Sequence, residues 1–199
     1  MDTETVVLDR DDMRRTLVRI AHEMVERNAG HPLALVGIHR RGAVLAARLH
    51  PLVTDLVGDA VPLGDLDISF YRDDVATHPV SPVVHASHLD FPLAGRTVVI
   101  VDDVLFTGRT VRAAIEALFD YGRPDRVQLA VLADRGHREL PIRPDYVGKN
   151  LPTARSERVN VRVEELDGAD EVTISPAGAA EAAADGGGPR PAPTEGRTG

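Results

Sequence analysis

The sequence contains no cysteine, and this absence excludes several kinds of chemistry. Disulfides, zinc–thiolate sites, iron–sulfur clusters and cysteine nucleophiles all need a thiol. Long hydrophobic runs are absent too, because stretches such as residues 98–101 are far shorter than the roughly 20 residues that span a bilayer. The acidic, polar residues 1–5 do not resemble a signal peptide. We therefore expect a cytoplasmic protein with no membrane partner.

Basic residues are outnumbered, with 23 bases against 31 acids and a formal net charge of −8. This balance excludes a protein coated with positive charge for nucleic acid, although it allows a local basic patch. Lys149 is the only lysine, so the other bases are arginines. Codon usage in a GC-rich genome is the simple explanation for this excess of arginine over lysine. A role of individual arginines in binding phosphates has to be argued site by site. Aromatic residues amount to 4%, so no stacking platform for single-stranded bases is expected.

The composition changes near Ser175. From there to Gly199 the chain is mostly Ala, Gly and Pro, and it contains no aromatic residue, Val, Leu or Ile. Such a segment cannot bury enough apolar area to offset the entropy lost on ordering. The composition predicts one domain over residues 1–174, followed by a disordered tail over residues 175–199.

Within the domain, short apolar runs alternate with helical patterns. Apolar spacing predicts an amphipathic helix over residues 11–28, capped by Asp11 or Asp12 and ended at Gly30. Further helices are predicted over residues 43–50 and 111–119, and strands over residues 33–38, 67–71, 97–101, 127–132, 145–147, 159–163 and 171–174. This alternation predicts an α/β domain with a mainly parallel sheet. Ligands bind such sheets at the carboxyl ends of the strands.

The region from Arg72 to Gly95 shows no regular element, and a connection that long is typical of a lid, a hairpin excursion or disorder. It contains His85 and His88, whose spacing could indicate a metal pair. Two exposed loop histidines are the simpler interpretation, because the sequence offers no thiolate beside them.

Residues 98–110 combine a hydrophobic strand, two adjacent carboxylates, a Thr-Gly turn and a helix start. Backbone N–H groups at the helix start, with the hydroxyls of Thr107 and Thr110, form a cradle for an anion. Asp102 and Asp103 would repel a phosphate and instead suit hydroxyl groups or magnesium. The combination predicts a sugar phosphate as ligand. A strand end and a helix cap are the simpler alternative, and no Walker loop or dinucleotide signature occurs.

At these residues the chain resembles a known family. Residues 98–110 look like the motif with which type I phosphoribosyltransferases bind 5-phosphoribosyl-1-diphosphate (PRPP). Five blocks also resemble the PyrR family of bifunctional pyrimidine-operon RNA regulators and uracil phosphoribosyltransferases: residues 19–23, 66–74, 108–112, 134–143 and 146–150. The resemblance covers residues 1–174. It implies the type I phosphoribosyltransferase fold, with a parallel central sheet flanked by helices, a small hood and a flexible lid, in a homodimer or larger homo-oligomer.

The resemblance also implies roles for individual residues. Asp102 and Asp103 would hold the ribose hydroxyls and, with Arg41 and Arg72, carry catalysis. The 5-phosphate would lie against Val104, Leu105, Phe106, Thr107, Gly108, Arg109 and Thr110. Residues 40–42, including Arg40, would form the pyrophosphate loop, and residues 70–95 the lid. Arg135 and the neighbourhood of Val159 would belong to the hood over the base. Magnesium would be held mainly through PRPP, with no direct protein ligand.

The implied function is twofold. The enzyme would convert uracil and PRPP to UMP and diphosphate. The regulator would bind the mRNA leader of pyrimidine genes in response to UMP or UTP, as in transcription attenuation. The implied RNA-binding residues are Arg15, Arg19, His22, Arg27, Arg138, Arg143 and Lys149.

Two alternatives stand beside this reading. The basic helix face can be an ordinary solvated face, offset by Glu23 and Glu26. The enzyme can instead act on another base, such as hypoxanthine or orotate, without RNA regulation. The sequence also departs from the family's pattern: Val18 and His39 stand where relatives carry a hydroxyl residue and a lysine. These departures bear on the strength and target of RNA binding.

Overall fold

The computed structural model describes residues 4–69, 71 and 87–176. Its elements, in chain order, are β1 (Thr5–Leu8), α1 (Arg10–Arg27), β2 (Leu33–Ile38), α2 (Arg41–Val57), β3 (Leu63–Leu66), β4 (Thr97–Leu105), α3 (Arg109–Asp120), β5 (Arg126–Asp134), β6 (Tyr146–Asn150), β7 (Arg158–Arg162), α4 (Glu164–Asp167) and β8 (Glu171–Ser175). No helix in this described part of the chain is both long enough and apolar enough to cross a bilayer.

Five strands form a parallel central sheet in the order β3-β2-β4-β5-β6. Strand β4 lies in the middle, so it is hydrogen-bonded on both edges and buried along most of its length. The predicted α/β class with a parallel sheet is confirmed. Strands β2 and β4 are apolar along almost their whole length because helices cover both faces of the sheet.

Alternate residues of the central strands face two different apolar clusters. Leu35 and Val99 pack with buried residues of α1 and α2 on one face. Val36 and Ile100 pack with buried residues of α3 on the other. This alternation follows from the two-residue period of a strand. It makes a three-layer domain whose strand ends converge at one edge.

A second, smaller sheet has the order β1-β8-β7 and is antiparallel. Ile174 of β8 pairs with Thr5 on one side and Val159 on the other. Strand β1 was not predicted, because four residues leave too short a pattern. Ser175, predicted to begin the tail, is the last residue of β8. Residues 177–199 of the predicted tail lie outside the described residues.

Helix α1 begins earlier than predicted and has a different cap. Asp9 caps it: its Oδ1 accepts a hydrogen bond from the Asp12 N–H at 2.8 Å. The Asp12 side chain accepts the Asp9 N–H at 3.4 Å in return. The prediction that Asp11 or Asp12 is the cap is therefore wrong. Asp12 sits three residues into the reciprocal capping box, where its side chain completes the pair.

Other boundaries also differ from prediction. Helix α2 spans residues 41–57 rather than 43–50, because buried Leu49 and Val53 continue its apolar face through Pro51. The strand predicted over residues 67–71 is instead β3, where Leu63 pairs with Leu35 of β2. Strand β6 runs to Asn150 rather than ending at residue 147, since its pairing with β5 continues to that residue.

The end of the predicted lid is attached to the domain. Asp65 and His88 exchange backbone hydrogen bonds of 3.0 Å each, and Leu93 is buried in the α3-facing cluster. Residues 87–95 are therefore held against the domain rather than forming part of a lid. Residues 72–86, with Arg72 and His85, lie outside the described residues.

The cap of α1 gives a stability prediction. Asp9→Ala removes the acceptor for an N-terminal N–H, and we expect it to lower the free energy of unfolding by about 1 kcal/mol. Asp11→Ala is the matched control, since it removes the same charge from the same turn without touching the cap, and should cost less than about 0.5 kcal/mol. Urea unfolding followed by circular dichroism measures both. Equal losses would contradict the assignment of Asp9 as the cap.

Candidate functional site

A polar pocket of about 220 Å³ lies at the carboxyl edge of the central sheet. Strands β2 and β4 both end there, as expected for a ligand site in a parallel sheet. The residues that line it are Ile38, His39, Arg40, Arg41, Ile68, Asp102, Asp103 and Thr110. The structure therefore brings together five residues that the family resemblance assigned to one PRPP site.

Two glycines allow the parts of this pocket to meet. A Cβ on Gly42 would lie 2.4 Å from the Val101 carbonyl oxygen of β4. A Cβ on Gly37 would lie 2.4 Å from Ala43 Cα of α2. The first turn of α2 thus packs directly on the backbone of β2 and β4, closer than any side chain permits. The preceding loop contains a cis peptide between His39 and Arg40 and brings both arginines to the carboxylates.

The two carboxylates are held by the backbone of their own strand. Asp102 is buried, and its Oδ1 accepts the Asp103 N–H at 2.9 Å. Asp103 Oδ1 accepts the Val104 N–H at 2.8 Å. Both residues still belong to β4, which continues to Leu105 because its pairing with β5 continues, as between Asp102 and Val131. The prediction that the strand ends at residue 101 is therefore wrong, although both acids remain near its carboxyl end.

The loop after the acids turns tightly into α3. Gly108 is the N-cap and has a φ of 93°, which glycine adopts without a steric penalty. The Thr107 carbonyl accepts the N–H groups of Glu139 and Leu140, at 3.0 and 3.2 Å. Because the carbonyl points to residues 139–140, the loop is fixed in place at the start of a twelve-residue helix. Such a helix start favours an anion.

Arg109, the first residue of α3, is paired with a carboxylate. Its Nε donates to Glu139 Oε2 at 2.9 Å, and Arg155 donates to the other oxygen of Glu139 at 2.7 Å. These hydrogen bonds, with that from Arg109 foremost, lower the pKa of the Glu139 carboxyl. Glu139 therefore links the predicted phosphate loop to the segment that precedes β7.

Arg41 also has a carboxylate partner. Its Nη2 donates to Asp167 Oδ1 at 2.7 Å and its Nε to Oδ2 at 3.2 Å. Asp167 ends the short helix α4 of the small sheet, 126 residues further along the chain. Burial raises the pKa of Asp167, but the hydrogen bonds from Arg41 and the Val163 N–H outweigh it, so the net pKa is lowered. Asp167 is therefore a charged carboxylate at neutral pH.

Arg135 joins the phosphate loop to the small sheet. Its guanidinium lies 4.2 Å from the ring centroid of Phe106. Its Nη2 donates to the carbonyls of Ala154 and Glu157, at 3.1 and 2.7 Å. The side chain is buried, and this burial lowers the pKa of the guanidinium. Val159 follows in β7 and packs against the core cluster, so Arg135 contacts the segment that leads to Val159.

Most of the predicted RNA-binding residues share one surface, formed by α1 and the edge strand β6. Arg19 Nη2 donates to the carbonyls of Val147 and Gly148, at 3.0 and 2.7 Å, and its Nη1 to Glu23 at 2.6 Å. Lys149 donates to the Val7 carbonyl at 2.8 Å. This α1–β6 surface also contains Arg15, His22 and Arg27.

Arg138 and Arg143 lie on a separate segment. Arg143 is exposed and lines an open groove of about 1040 Å³ between residues 134 and 152. Arg138 lines the same groove, but its guanidinium is engaged by the protein. It donates to Asp134 at 2.5 Å and to the carbonyls of Phe106 and Ile142, at 2.8 and 3.1 Å. Arg138 therefore connects the groove to the predicted phosphate loop.

The sequence did not indicate three acidic residues that hold this site together. Asp65 contacts His39 Nε2 at 2.5 Å and His88 Nδ1 at 3.2 Å. Asp167 and Glu139 fix Arg41 and Arg109. Each contact joins residues at least 23 positions apart, so no local pattern reveals it. Among the described residues, no group of three or more histidine or acidic side chains could hold a metal ion.

Comparison with known sequences finds close relatives. Residues 7–167 match the model of the phosphoribosyl transferase domain. A protein of Roseiflexus sp. strain RS-1 named bifunctional protein PyrR is 59% identical over 166 residues, which cover 83% of this chain and 91% of the relative. A protein of the same name from Pelotomaculum thermopropionicum is 57% identical over 169 residues, 84% of this chain and 93% of its own.

Comparison with solved structures finds the same architecture at low identity. A hypoxanthine phosphoribosyltransferase of Trypanosoma cruzi aligns with a TM-score of 0.69 and 18% identity, over 94% of this chain and 97% of its own. A hypoxanthine phosphoribosyltransferase of Staphylococcus aureus aligns with a TM-score of 0.61 and 21% identity, over 84% and 89% of the two chains. These structures share the fold predicted from the sequence.

The two groove arginines should differ in their effect on stability. Arg138→Gln leaves the carbonyls of Phe106 and Ile142 and the Asp134 carboxylate without their donor, and should cost about 2 kcal/mol of unfolding free energy. Arg143→Gln, which removes the same charge from an exposed position, should change it by less than about 0.5 kcal/mol. Urea unfolding of both variants is the measurement. A stable Arg138→Gln protein would show that these contacts are dispensable.

Proposed function

The chain belongs to the phosphoribosyltransferase domain family and, within it, to the PyrR proteins, and from this premise we propose that it makes UMP and pyrophosphate from uracil and PRPP and regulates pyrimidine genes through their mRNA. The observation that carries the enzymatic half is the pocket in which two carboxylates face two arginines beside a helix start. A sugar phosphate with a pyrophosphate group offers hydroxyl groups for the carboxylates and negative charge for the arginines and the helix start.

In the proposed complex each part of PRPP meets a complementary group. The ribose 2- and 3-hydroxyls donate to Asp102 and Asp103. The 5-phosphate lies on residues 104–110 at the start of α3, where N–H groups and the Thr107 and Thr110 hydroxyls face it. The pyrophosphate lies against the residues that precede and begin α2, Arg40 and Arg41.

The two carboxylates also account for catalysis. When pyrophosphate leaves the anomeric carbon, positive charge builds on the ribose. The buried Asp102 and its neighbour Asp103 already place negative charge at that position, so they stabilise the transition state more than the ground state. Arg41 stabilises the negative charge that develops on the leaving group. Uracil then bonds to the anomeric carbon and loses its N1 proton to solvent.

The donor set of the pocket fits a magnesium ion bound with PRPP. Carboxylate oxygens are the protein ligands that Mg²⁺ prefers, and the pocket has two such residues. With few protein ligands, Mg²⁺ usually retains water and binds through substrate phosphates. When bound, the ion neutralises pyrophosphate charge.

The uracil site in this proposal lies beneath the small sheet. Arg135 stacks on Phe106 and holds the segment from Ala154 to Glu157 by hydrogen bonds. This segment leads into β7, which contains Val159. Main-chain groups of this segment would read the base.

The catalytic proposal is tested by removing both carboxylate charges. Asp102→Asn with Asp103→Asn should nearly abolish uracil-dependent pyrophosphate release, because the variant no longer stabilises positive charge on the ribose. The control is Asp55→Asn with Asp59→Asn, which removes the same charge from exposed positions at the far end of α2. A coupled pyrophosphate assay measures both. Full activity in the first variant would overturn the site assignment.

The regulatory half rests on the α1–β6 surface and on Arg143. Duplex RNA is recognised mainly by shape and by phosphate contacts, and Arg15, Arg19, Arg27 and Lys149 supply the cations for them. Several of these side chains are paired with acids or carbonyls, which fixes their positions but reduces their net charge. We therefore propose an RNA stem–loop as the partner, bound through few phosphate contacts. We also propose that the protein acts in the cytoplasm, where mRNA is found.

Arg138 gives the proposed nucleotide response a physical route. It contacts the carbonyl of Phe106 in the phosphate loop and lines the groove with Arg143. UMP has the 5-phosphate and the base that this loop and the small sheet would bind. A change in the phosphate loop on UMP or UTP binding would therefore reach the groove lined by Arg143 through one side chain, that of Arg138.

A gel shift on the leader RNA of pyrimidine genes tests this half. Addition of UMP should tighten binding by the unmodified protein. Arg19→Gln should weaken it roughly tenfold, through the loss of a cation from the α1–β6 surface. Arg123→Gln, on the opposite face beside Phe119 at the end of α3, is the charge-matched control and should bind normally. Binding that is absent, or unchanged by UMP, would remove the regulatory proposal and leave the enzyme.

Self-association completes the proposal. Leu56, Val57 and Leu63 are exposed where α2 ends and β3 begins, and exposed apolar residues close together are typical of protein interfaces. We expect a homodimer or larger homo-oligomer.

A further inference from the structure

The ion pair between Arg41 and Asp167 joins the candidate pyrophosphate loop to the small sheet. We propose that Asp167 is a positioning residue for the transferase reaction, which holds Arg41 so that its remaining donors meet the pyrophosphate of PRPP. The inference deepens the proposed function and rests on it, because it assumes that Arg41 binds pyrophosphate.

The geometry of the pair leaves donors for a ligand. Asp167 engages Nε and Nη2 of Arg41, at 3.2 and 2.7 Å. In the described part of the chain, no hydrogen bond uses Nη1, and Arg41 lines the pocket beside Asp102 and Asp103. A guanidinium is a planar fork of five N–H donors. When one edge is held by a carboxylate, the orientation of the other donors is set before the ligand arrives.

The carboxylate is itself fixed in place. Asp167 Oδ2 accepts the Val163 N–H at 2.9 Å, which closes the single turn of α4 onto the end of β7. The Asp167 side chain is 20% exposed and that of Arg41 is 38% exposed. Both partners are therefore partly shielded from water. A charged pair in such a position is ordered more strongly than one on an open surface.

The same helix contains a second ion pair that serves as an internal comparison. Glu165 receives Nε and Nη2 of Arg48, at 2.9 and 2.6 Å, with the same forked geometry. Both pairs join α2 to α4. Arg48, however, lies two turns further along α2 and does not line the pocket. Arg48 Nη2 also donates to Asp170 Oδ1 at 2.6 Å. If the pair between Arg41 and Asp167 only fastens the small sheet to the domain, its loss should affect the reaction no more than the loss of the pair between Arg48 and Glu165.

The test compares Asp167→Asn with Glu165→Gln. Asparagine keeps an oxygen for the Val163 N–H, so the turn of α4 survives while the charge is lost. For Asp167→Asn we expect the affinity for pyrophosphate, measured by calorimetry, and kcat/KM for PRPP each to fall roughly tenfold, because a misplaced group costs binding and rate. KM for uracil should not change. Glu165→Gln should leave all of these constants within about twofold.

Two further variants make the result decisive. Asp167→Glu keeps the charge and should recover part of the lost pyrophosphate affinity. In an Arg41→Ala background, Asp167→Asn should have no further effect, because the positioned group is gone. Equal losses for Asp167→Asn and Glu165→Gln, or an added loss in the Arg41→Ala background, would overturn the positioning role. An unmodified protein that produces no UMP from uracil and PRPP would instead contradict the proposed function itself.

Discussion

The close contact between the first turn of α2 and the backbone of β2 and β4 is the constraint on which the site depends. It exists because Gly37 and Gly42 have no Cβ, and one on Gly42 would come within 2.4 Å of a strand carbonyl. The contact sets Arg40 and Arg41 beside Asp102 and Asp103. The pocket therefore has two acids and two arginines in its lining, and this is the combination that we propose for a ligand carrying both hydroxyls and phosphates.

The second constraint is the set of side chains that hold the small sheet to this core. Arg135 spans from Phe106 to the carbonyls before β7, and Arg41 and Arg48 reach the acids of α4. In this acidic chain, several arginines therefore connect the small sheet to the core. Several arginines that sequence reasoning assigned to ligands or RNA are bonded to backbone carbonyls and carboxylates, and these contacts fix the geometry of the site.

Prediction from the sequence succeeded where the signal was local. The strand over residues 33–38 and the order of strand, acids, glycine and helix in residues 98–110 are continuous patterns of burial and turn chemistry, and the structure has both. Element ends were less predictable, because hydrogen bonding to a neighbouring strand extended β4 and buried packing carried α2 through Pro51. The contacts of Asp65, Glu139 and Asp167 join distant positions, which only the folded chain brings together.

The central claim is that this pocket serves uracil, although its fold is shared with hypoxanthine enzymes. The most direct measurement is pyrophosphate release from PRPP by the unmodified protein, with magnesium, in the presence of uracil, hypoxanthine, guanine or orotate in turn. The account predicts release with uracil and formation of UMP, with the other bases close to the rate without any base. Release with hypoxanthine or orotate, and none with uracil, would contradict it.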